Sequence, residues 1–198
     1  QPARRLRPAS SMAGPLSRAG ALPAIRPVAL PRDRIGLLAL DTSFVTDRIY
    51  AVQATAASFT LVEQAVAPPI RKAFPLEDEL GDDRLWQQGF VAETGDALAG
   101  FVALRYEAWN RRAAIWHLYV APAWRGRGIG AALLAAAEDF ARTAGARMLW
   151  LETSNVNYPA IQFYQRMGFV WCGLDQSLYD PGGDAAGETA LYFSRPLG

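Results

Sequence analysis

The segment Ala121-Pro122-Ala123-Trp124-Arg125-Gly126-Arg127-Gly128-Ile129-Gly130 sets three glycines and two arginines just ahead of an apolar-periodic stretch. Glycine lets a backbone pass close to a ligand and turn its amides inward. Free N–H groups at a helix start, the positive end of the helix dipole, and the cations of Arg125 and Arg127 together suit a pyrophosphate. Taken alone, the cluster also fits a tight turn. It is not a P-loop, because no Lys-Ser/Thr pair follows, and it fails the dinucleotide fingerprint, because no third glycine falls three residues after Gly128. Other chemistry-bearing residues are sparse. His117 is the only histidine and Cys172 the only cysteine, which excludes an internal disulfide and a zinc cage, so no metal is expected. Glu77, Asp78, Glu79, Asp82 and Asp83 form an acidic run, either a solvated loop or a collar that concentrates a cationic substrate.

The elements that would position these residues are legible from their periods. Phe44 to Val52 and Phe59 to Val66 read as strands, the second stopped by Pro68 and Pro69. Gly89 to Glu93 and Leu98 to Tyr106 form a hairpin about Gly95 and Asp96, and Ala113 to Val120 continues the meander. From Ile129 the period becomes helical: Leu133, Ala136, Ala137, Phe140 and Ala144 share a face opposite Glu138, Asp139, Arg142 and Thr143, and Gly145 ends the helix. Arg147 to Thr153 is a strand. Asn157, followed by Pro159, starts a helix to about Met167, which Gly168 ends, and Val170 to Leu174 and Thr189 to Phe193 are closing strands. The order predicts a mixed α/β sheet with a crossover helix.

At 198 residues, 51% of them hydrophobic, the chain predicts one globular domain. The runs Ile35 to Leu40 and Ala131 to Ala137 are far short of the ~18 residues of a membrane span. The net charge of +1 conceals an asymmetry: residues 1–34 carry seven arginines and one acid, leaving −5 on the remaining 164. Dense proline (Pro2, Pro8, Pro15, Pro23, Pro27, Pro31) makes residues 1–34 read as a flexible or extended arm before a domain at 35–198. The acidic body offers no aromatic-basic platform, so nucleic acid is not an expected partner. A cytoplasmic location is expected from the cysteine usage. Oligomeric state stays open, with a homodimer among the options.

Two motifs point to a family. Arg125, Gly128 and Gly130 match the Arg/Gln-x-x-Gly-x-Gly/Ala signature of the GNAT superfamily of N-acetyltransferases. About thirty residues on, Asn157, Ala160, Tyr164, Gly168 and Phe169 match its Asn-x-x-Ala-x-x-x-Tyr-x-x-x-Gly-Phe pattern. More narrowly, roughly Thr42 to Phe193 resembles the streptothricin acetyltransferases, through Phe59 to Lys72, the acid-rich loop, Trp109-Asn110-Arg111, Leu151-Glu152-Thr153 and Glu188-Thr189-Ala190. The resemblance implies a mostly antiparallel mixed sheet flanked by helices and splayed between strands around acetyl-coenzyme A.

It also implies roles. Arg125, Gly126, Arg127, Gly128, Ile129 and Gly130 would hold the pyrophosphate. The backbone at Leu118, Tyr119 and Val120 would pair with the pantetheine arm like an added strand, the amide after Leu118 polarising the thioester carbonyl. Asn157 and Tyr164 lie seven residues apart, one helix face with a rise of about 10 Å, which suits an extended arm. The Asn157 amide would fix one end, and the Tyr164 hydroxyl would protonate the departing sulfur; a helix cap and a core aromatic are the ordinary alternatives. Where the streptothricin enzymes carry an acid before the phosphate loop, this chain has Trp116, so the base falls to His117, to Glu152, or to no dedicated group. Asp82 and Asp83 are expected to attract the cationic acceptor. Trp116 and Trp86 are candidates to line its pocket with Trp109 at the rim, while Trp124 and Trp150 pack core or rim. The expected activity is acetyl transfer to a primary amine on a small cationic molecule, streptothricin being one. The alternatives are a protein lysine or N-terminal acetyltransferase and a coenzyme A-binding module without turnover.

Overall fold

The alternation of β-branched runs with helical periods produces a layered α/β fold in the computed structural model, which describes residues 23–95 and 97–198. In chain order the elements are β1 (Ala24–Pro27), α1 (Leu30–Leu38), β2 (Phe44–Ala54), β3 (Phe59–Lys72), β4 (Gln88–Thr94), β5 (Ala97–Glu107) and β6 (Arg112–Val120), followed by α2 (Ile129–Thr143), β7 (Met148–Ser154), α3 (Tyr158–Arg166), β8 (Val170–Asp175) and β9 (Ala190–Pro196). Short 3-10 turns cover Glu77–Glu79 and Pro122–Trp124. No helix among the described residues is long and apolar enough to cross a membrane.

Seven strands form one sheet in the order β1-β4-β5-β6-β7-β9-β8, and β2 with β3 makes a separate two-stranded ribbon. The β6–β7 pair is parallel and the others are antiparallel, because α2 carries the chain from one end of β6 back to the start of β7. Its apolar stripe, Ile129, Leu133, Leu134, Ala137 and Ala141, is buried against Val102, Leu104, Ala113 and Ile115 of the sheet. Each such leucine contributes ~1.5–3 kcal/mol of burial. The other sheet face packs Val91, Phe101 and Ala103 on Leu37, Leu40, Leu76, Leu80 and Trp86.

One irregularity opens the sheet. β6 pairs with β7 only over Arg112–Ile115. On its other edge Leu104 faces Ile115 and Ala103 faces His117, so Trp116 is the extra residue of a bulge. A bulge bends its strand and re-aims a side chain. Beyond it β6 stays on β5 and parts from β7, leaving a wedge with one free strand edge.

Three sequence expectations need correction. Residues 24–34 are not a flexible arm: β1 pairs with β4 at the edge of the sheet, and Arg26 forks onto Asp33 at 2.7 and 2.8 Å while also reaching Glu93 at 2.6 Å. The prolines sit where strand and helix tolerate them, Pro27 ending an edge strand and Pro31 in the first turn of α1. The rest of the expected arm, residues 1–22, lies outside the described residues. Pro68 and Pro69 do not stop β3, which runs on to Lys72. The ribbon register jumps from Arg48↔Ala65 to Thr46↔Ile70, so both prolines fall in a stretch that owes no ladder hydrogen bond. Trp86 belongs to the core at 4% exposure and is not among the residues around the large cleft described below.

Candidate active site

The wedge between β6 and β7 deepens into a cleft of about 730 Å³, walled by the starts of α2 and α3, by Thr42, Phe44, Lys72 and Phe74 at one end of the ribbon, and by Tyr179, Ala185 and Glu188 of the β8–β9 connection. Both sequence motifs border it, along with the candidates Trp116, His117, Leu118, Tyr119, Val120, Glu152, Asn157 and Tyr164. The ribbon is docked by Asn155, whose Nδ2 donates to the Tyr50 carbonyl at 2.8 Å, and by Tyr50 stacked on Tyr158 with centroids 5.5 Å apart.

At the donor end, Gly126 and Gly128 have φ of +74° and +82°, the left-handed region that disfavours any side chain. Gly128 is the N-cap of α2 and brings no capping side chain, so the first helical N–H groups face the cleft without an internal acceptor. Gly130 answers to packing: a Cβ there would lie 3.1 Å from the Phe163 ring of α3. Arg125 borders the cleft and Arg127 does not. Arg125 Nε donates to the Val120 carbonyl at 2.8 Å and Nη2 to the Ser43 carbonyl at 2.5 Å, so this side chain ties the loop to β6 and to the approach to β2. Arg127 lies over the Trp124 ring at 4.9 Å and is not among the cleft residues. Attraction for an anion here rests on the helix N-terminus and its amides.

On α3, Asn157 is the N-cap, its Oδ1 accepting from Ala160 N at 3.4 Å, and its carboxamide also borders the cleft. Tyr164 lies one face along, 7% exposed, with its ring against Phe163, Phe169 and Phe193. Its hydroxyl makes no hydrogen bond to the described residues. Burial, then the charge of Glu152, pushes the phenol well above the ordinary tyrosine value, which keeps it a proton donor at neutral pH.

The acceptor end is acidic, though not through the residues expected. Asp82 and Asp83 are exposed and lie outside the cleft, and Trp109, at 85% exposure, stands on the β5–β6 turn away from it. Glu79, Glu152 and Glu188 border the cleft instead. Glu152 accepts from the Tyr179 hydroxyl. Burial, and the nearby Glu188, push its carboxyl up, while the Tyr179 hydrogen bond holds it down. Glu188 is taken up by Lys72 and by the Ser154 hydroxyl. His117 Nε2 lies 3.2 Å from Glu79 Oε2, and Nδ1 lies 3.4 Å from the Tyr119 hydroxyl. Burial lowers the imidazole pKa against the opposing pull of Glu79. Sequence reasoning singled out the acidic run but not its third member, and it missed Tyr179, Lys72 and Glu188 as cleft residues. The Glu188-Thr189-Ala190 resemblance was the one signal at that place.

A glycine loop opening onto free helical amides, an unpaired strand edge and a buried phenol define a site for a nucleotide-linked acyl donor with an acidic acceptor end. Residues 56–169 match the Acetyltransferase (GNAT) family, and the chain belongs to it. Its fold and N-acetyltransferase chemistry follow, with acetyl-coenzyme A as cosubstrate. The open amides and free β6 edge fit that molecule, and no described residue lies within 4 Å of a Cβ placed on Gly126 to crowd it. The chain is 46% identical over 179 residues to a streptothricin acetyltransferase of Streptomyces lavendulae, covering 85% of this chain and 92% of the relative. Among solved structures, nourseothricin acetyltransferase superposes with a TM-score of 0.81 at 47% identity, covering 90% of this chain and all of that one. A Bacillus anthracis str. Ames protein assigned as a streptothricin acetyltransferase, in complex with acetyl coenzyme A, superposes with a TM-score of 0.72 at 26% identity, over 87% and 98% of the two chains.

Proposed function

We propose that the chain acetylates a primary amine of streptothricin, and that loss of the amine's positive charge inactivates the antibiotic. The observation that carries this reading is the acidic far end of the cleft. Among the described residues, Glu152 and Glu79 face it without an arginine or lysine partner, while Glu188 is neutralised by Lys72. A cationic aliphatic amine, such as the β-lysine chain of streptothricin, supplies the missing positive charge. The 46% identity to the Streptomyces lavendulae enzyme supports the same acceptor. A cytoplasmic site of action accords with a cosubstrate drawn from central metabolism.

In this reading each residue has one task. Acetyl-coenzyme A supplies an activated acyl carbon. The amides at the start of α2 hold its diphosphate, and the free edge of β6 aligns its arm. Glu152, oriented by Tyr179, holds the acceptor ammonium near the reacting carbon, a positioning effect that makes attack effectively unimolecular. Tyr164 delivers its proton to the departing sulfur.

Thiol release measured with streptothricin, polyamines and a lysine peptide tests this. Streptothricin is expected to turn over with a kcat/KM at least about 100-fold above the others, a ratio that matched polar groups supply. Release with the lysine peptide alone would identify a protein acetyltransferase, and binding of acetyl-coenzyme A without release would identify a binding module.

A further inference from the structure

An aliphatic ammonium has a pKa near 10 and must lose a proton before it can attack. Trp116, at the bulge, has no group that can take it, so the proton has to leave by another route. The structure offers a connected one. On the sheet face shared with Phe101, His117 is 8% exposed, its ring stacked between Phe101 and Tyr119 with centroids 6.0 and 5.8 Å away. Each ring nitrogen has a partner. A carboxylate only accepts, so Nε2 carries the hydrogen and donates to Glu79, leaving the Nδ1 lone pair to accept from the Tyr119 hydroxyl. At 3.4 Å the Tyr119 contact is long, as such contacts are before substrate closes on them.

Glu79 is itself held from behind. Its carbonyl accepts the Trp86 indole N–H at 2.9 Å, and Trp86 is buried in the core against Phe101. The turn carrying Glu79 is therefore anchored, while the carboxylate stays 40% exposed. Together the three side chains reach from inside the cleft to solvent.

We propose that Tyr119, His117 and Glu79 form the proton exit for the acceptor amine, with Glu79 as the positioning residue that sets the histidine tautomer. This rests on the acetyltransfer reading above. The ammonium passes a proton to the Tyr119 oxygen as the tyrosine's own proton moves to His117 Nδ1. The neutral amine then attacks, and the imidazolium formed is balanced by the Glu79 carboxylate. The imidazolium next releases its Nε2 proton through Glu79 to solvent, and exchange with water restores the starting tautomer. One proton enters this path and one leaves, and Tyr119 ends as it began; the second N–H proton, shed as the C–S bond breaks, passes to the Tyr164 oxygen and restores the phenol that protonated the sulfur. The alignment is the Asp–His logic of hydrolase triads with a phenol as the contacting group.

The titratable groups facing the imidazole are Glu79 from the turn and Tyr119 from its own strand; β5 presents Phe101. Because His117 is the only histidine, its C2–H NMR signal in the tag-free chain titrates alone, independently of turnover. Glu79→Gln removes the charge that raises the imidazole pKa. That pKa is expected to fall, the acidic limb of kcat/KM to move down in pH with it, and the plateau to drop roughly tenfold or more, part of the ~10²–10⁴ of general-base catalysis. Tyr119→Phe keeps the ring stacking, and its plateau falls while the titration persists. An NMR titration unmoved in Glu79→Gln, or one that moves while the acidic limb stays in place, overturns the proposal. A wild-type chain releasing thiol with no amine overturns the functional reading and this role with it, and the NMR shift then still reports the Glu79–His117 pairing.

Discussion

Replacing Tyr164 with phenylalanine removes one oxygen from the centre of the cleft and little else. The ring holds its place through Phe163, Phe169 and Phe193 at centroid distances of 5.6, 5.7 and 6.0 Å. The hydroxyl makes no hydrogen bond to the described residues, so its removal orphans no buried partner and stability is expected to change by under about 1 kcal/mol. The proton for the departing sulfur is lost, and general-acid catalysis contributes ~10²–10⁴ in rate, about 2.7–5.4 kcal/mol of barrier. We therefore expect kcat to fall by at least about 100-fold, with acetyl-coenzyme A affinity within about twofold, since an interaction made only in the transition state affects kcat and not binding. Thiol release at saturating cosubstrate measures the first and calorimetric titration the second. The wild-type alkaline limit tells the same story: with the phenol pushed above its ordinary value of 10.0 by burial and Glu152, Tyr164 should set no downturn below that pH. A variant turning over within about threefold of the wild type would refute the assignment.

At the acceptor end, Glu152→Gln should raise the acceptor KM by roughly tenfold or more, the worth of a partly buried charge-assisted contact. Asp82→Asn and Asp83→Asn, at exposed positions outside the cleft, should leave it within about twofold at physiological salt, where solvent and ions screen such charges. Gly130→Ala brings a methyl within 3.1 Å of the Phe163 ring. The displaced ring should weaken acetyl-coenzyme A binding in a calorimetric titration, with a fold cost of about 1–3 kcal/mol from overpacking. Away from the site, Asp33→Ala removes one of the two carboxylates that hold Arg26, leaving Glu93, and the acceptor of the Ala29 N–H, and should cost about 1–3 kcal/mol in urea unfolding at pH 7. The Arg26 hydrogen bond holds the Asp33 carboxyl below its ordinary value of 3.8 in the fold. That stabilisation is present above the unfolded value and is lost as pH falls through the depressed one. The gap between wild type and variant should therefore close on strong acidification.

Features that depend on backbone rules acting over a few residues could be read from the chain directly. Gly126 and Gly128 take positive φ at a helix mouth because other residues resist it, and Asn157 caps α3 because its side-chain oxygen meets the N–H three residues on. The helical stripe through Ile129, Leu133 and Ala137 and the period-two runs of the meander were legible for the same reason. Tertiary structure decided the rest. Residues 24–34 joined the sheet through a strand edge and an Arg26–Asp33–Glu93 cluster that spans 67 positions, which no local pattern carries. The Trp116 bulge, and with it the parting of β6 from β7, arises from register against β5. Only the folded chain could choose Glu79 from five neighbouring acids. The turn that holds it is fixed by a core tryptophan seven residues away, and the histidine it meets lies 38 positions further along the chain. Charge content is a property of sequence, whereas which charge faces the substrate is a property of packing.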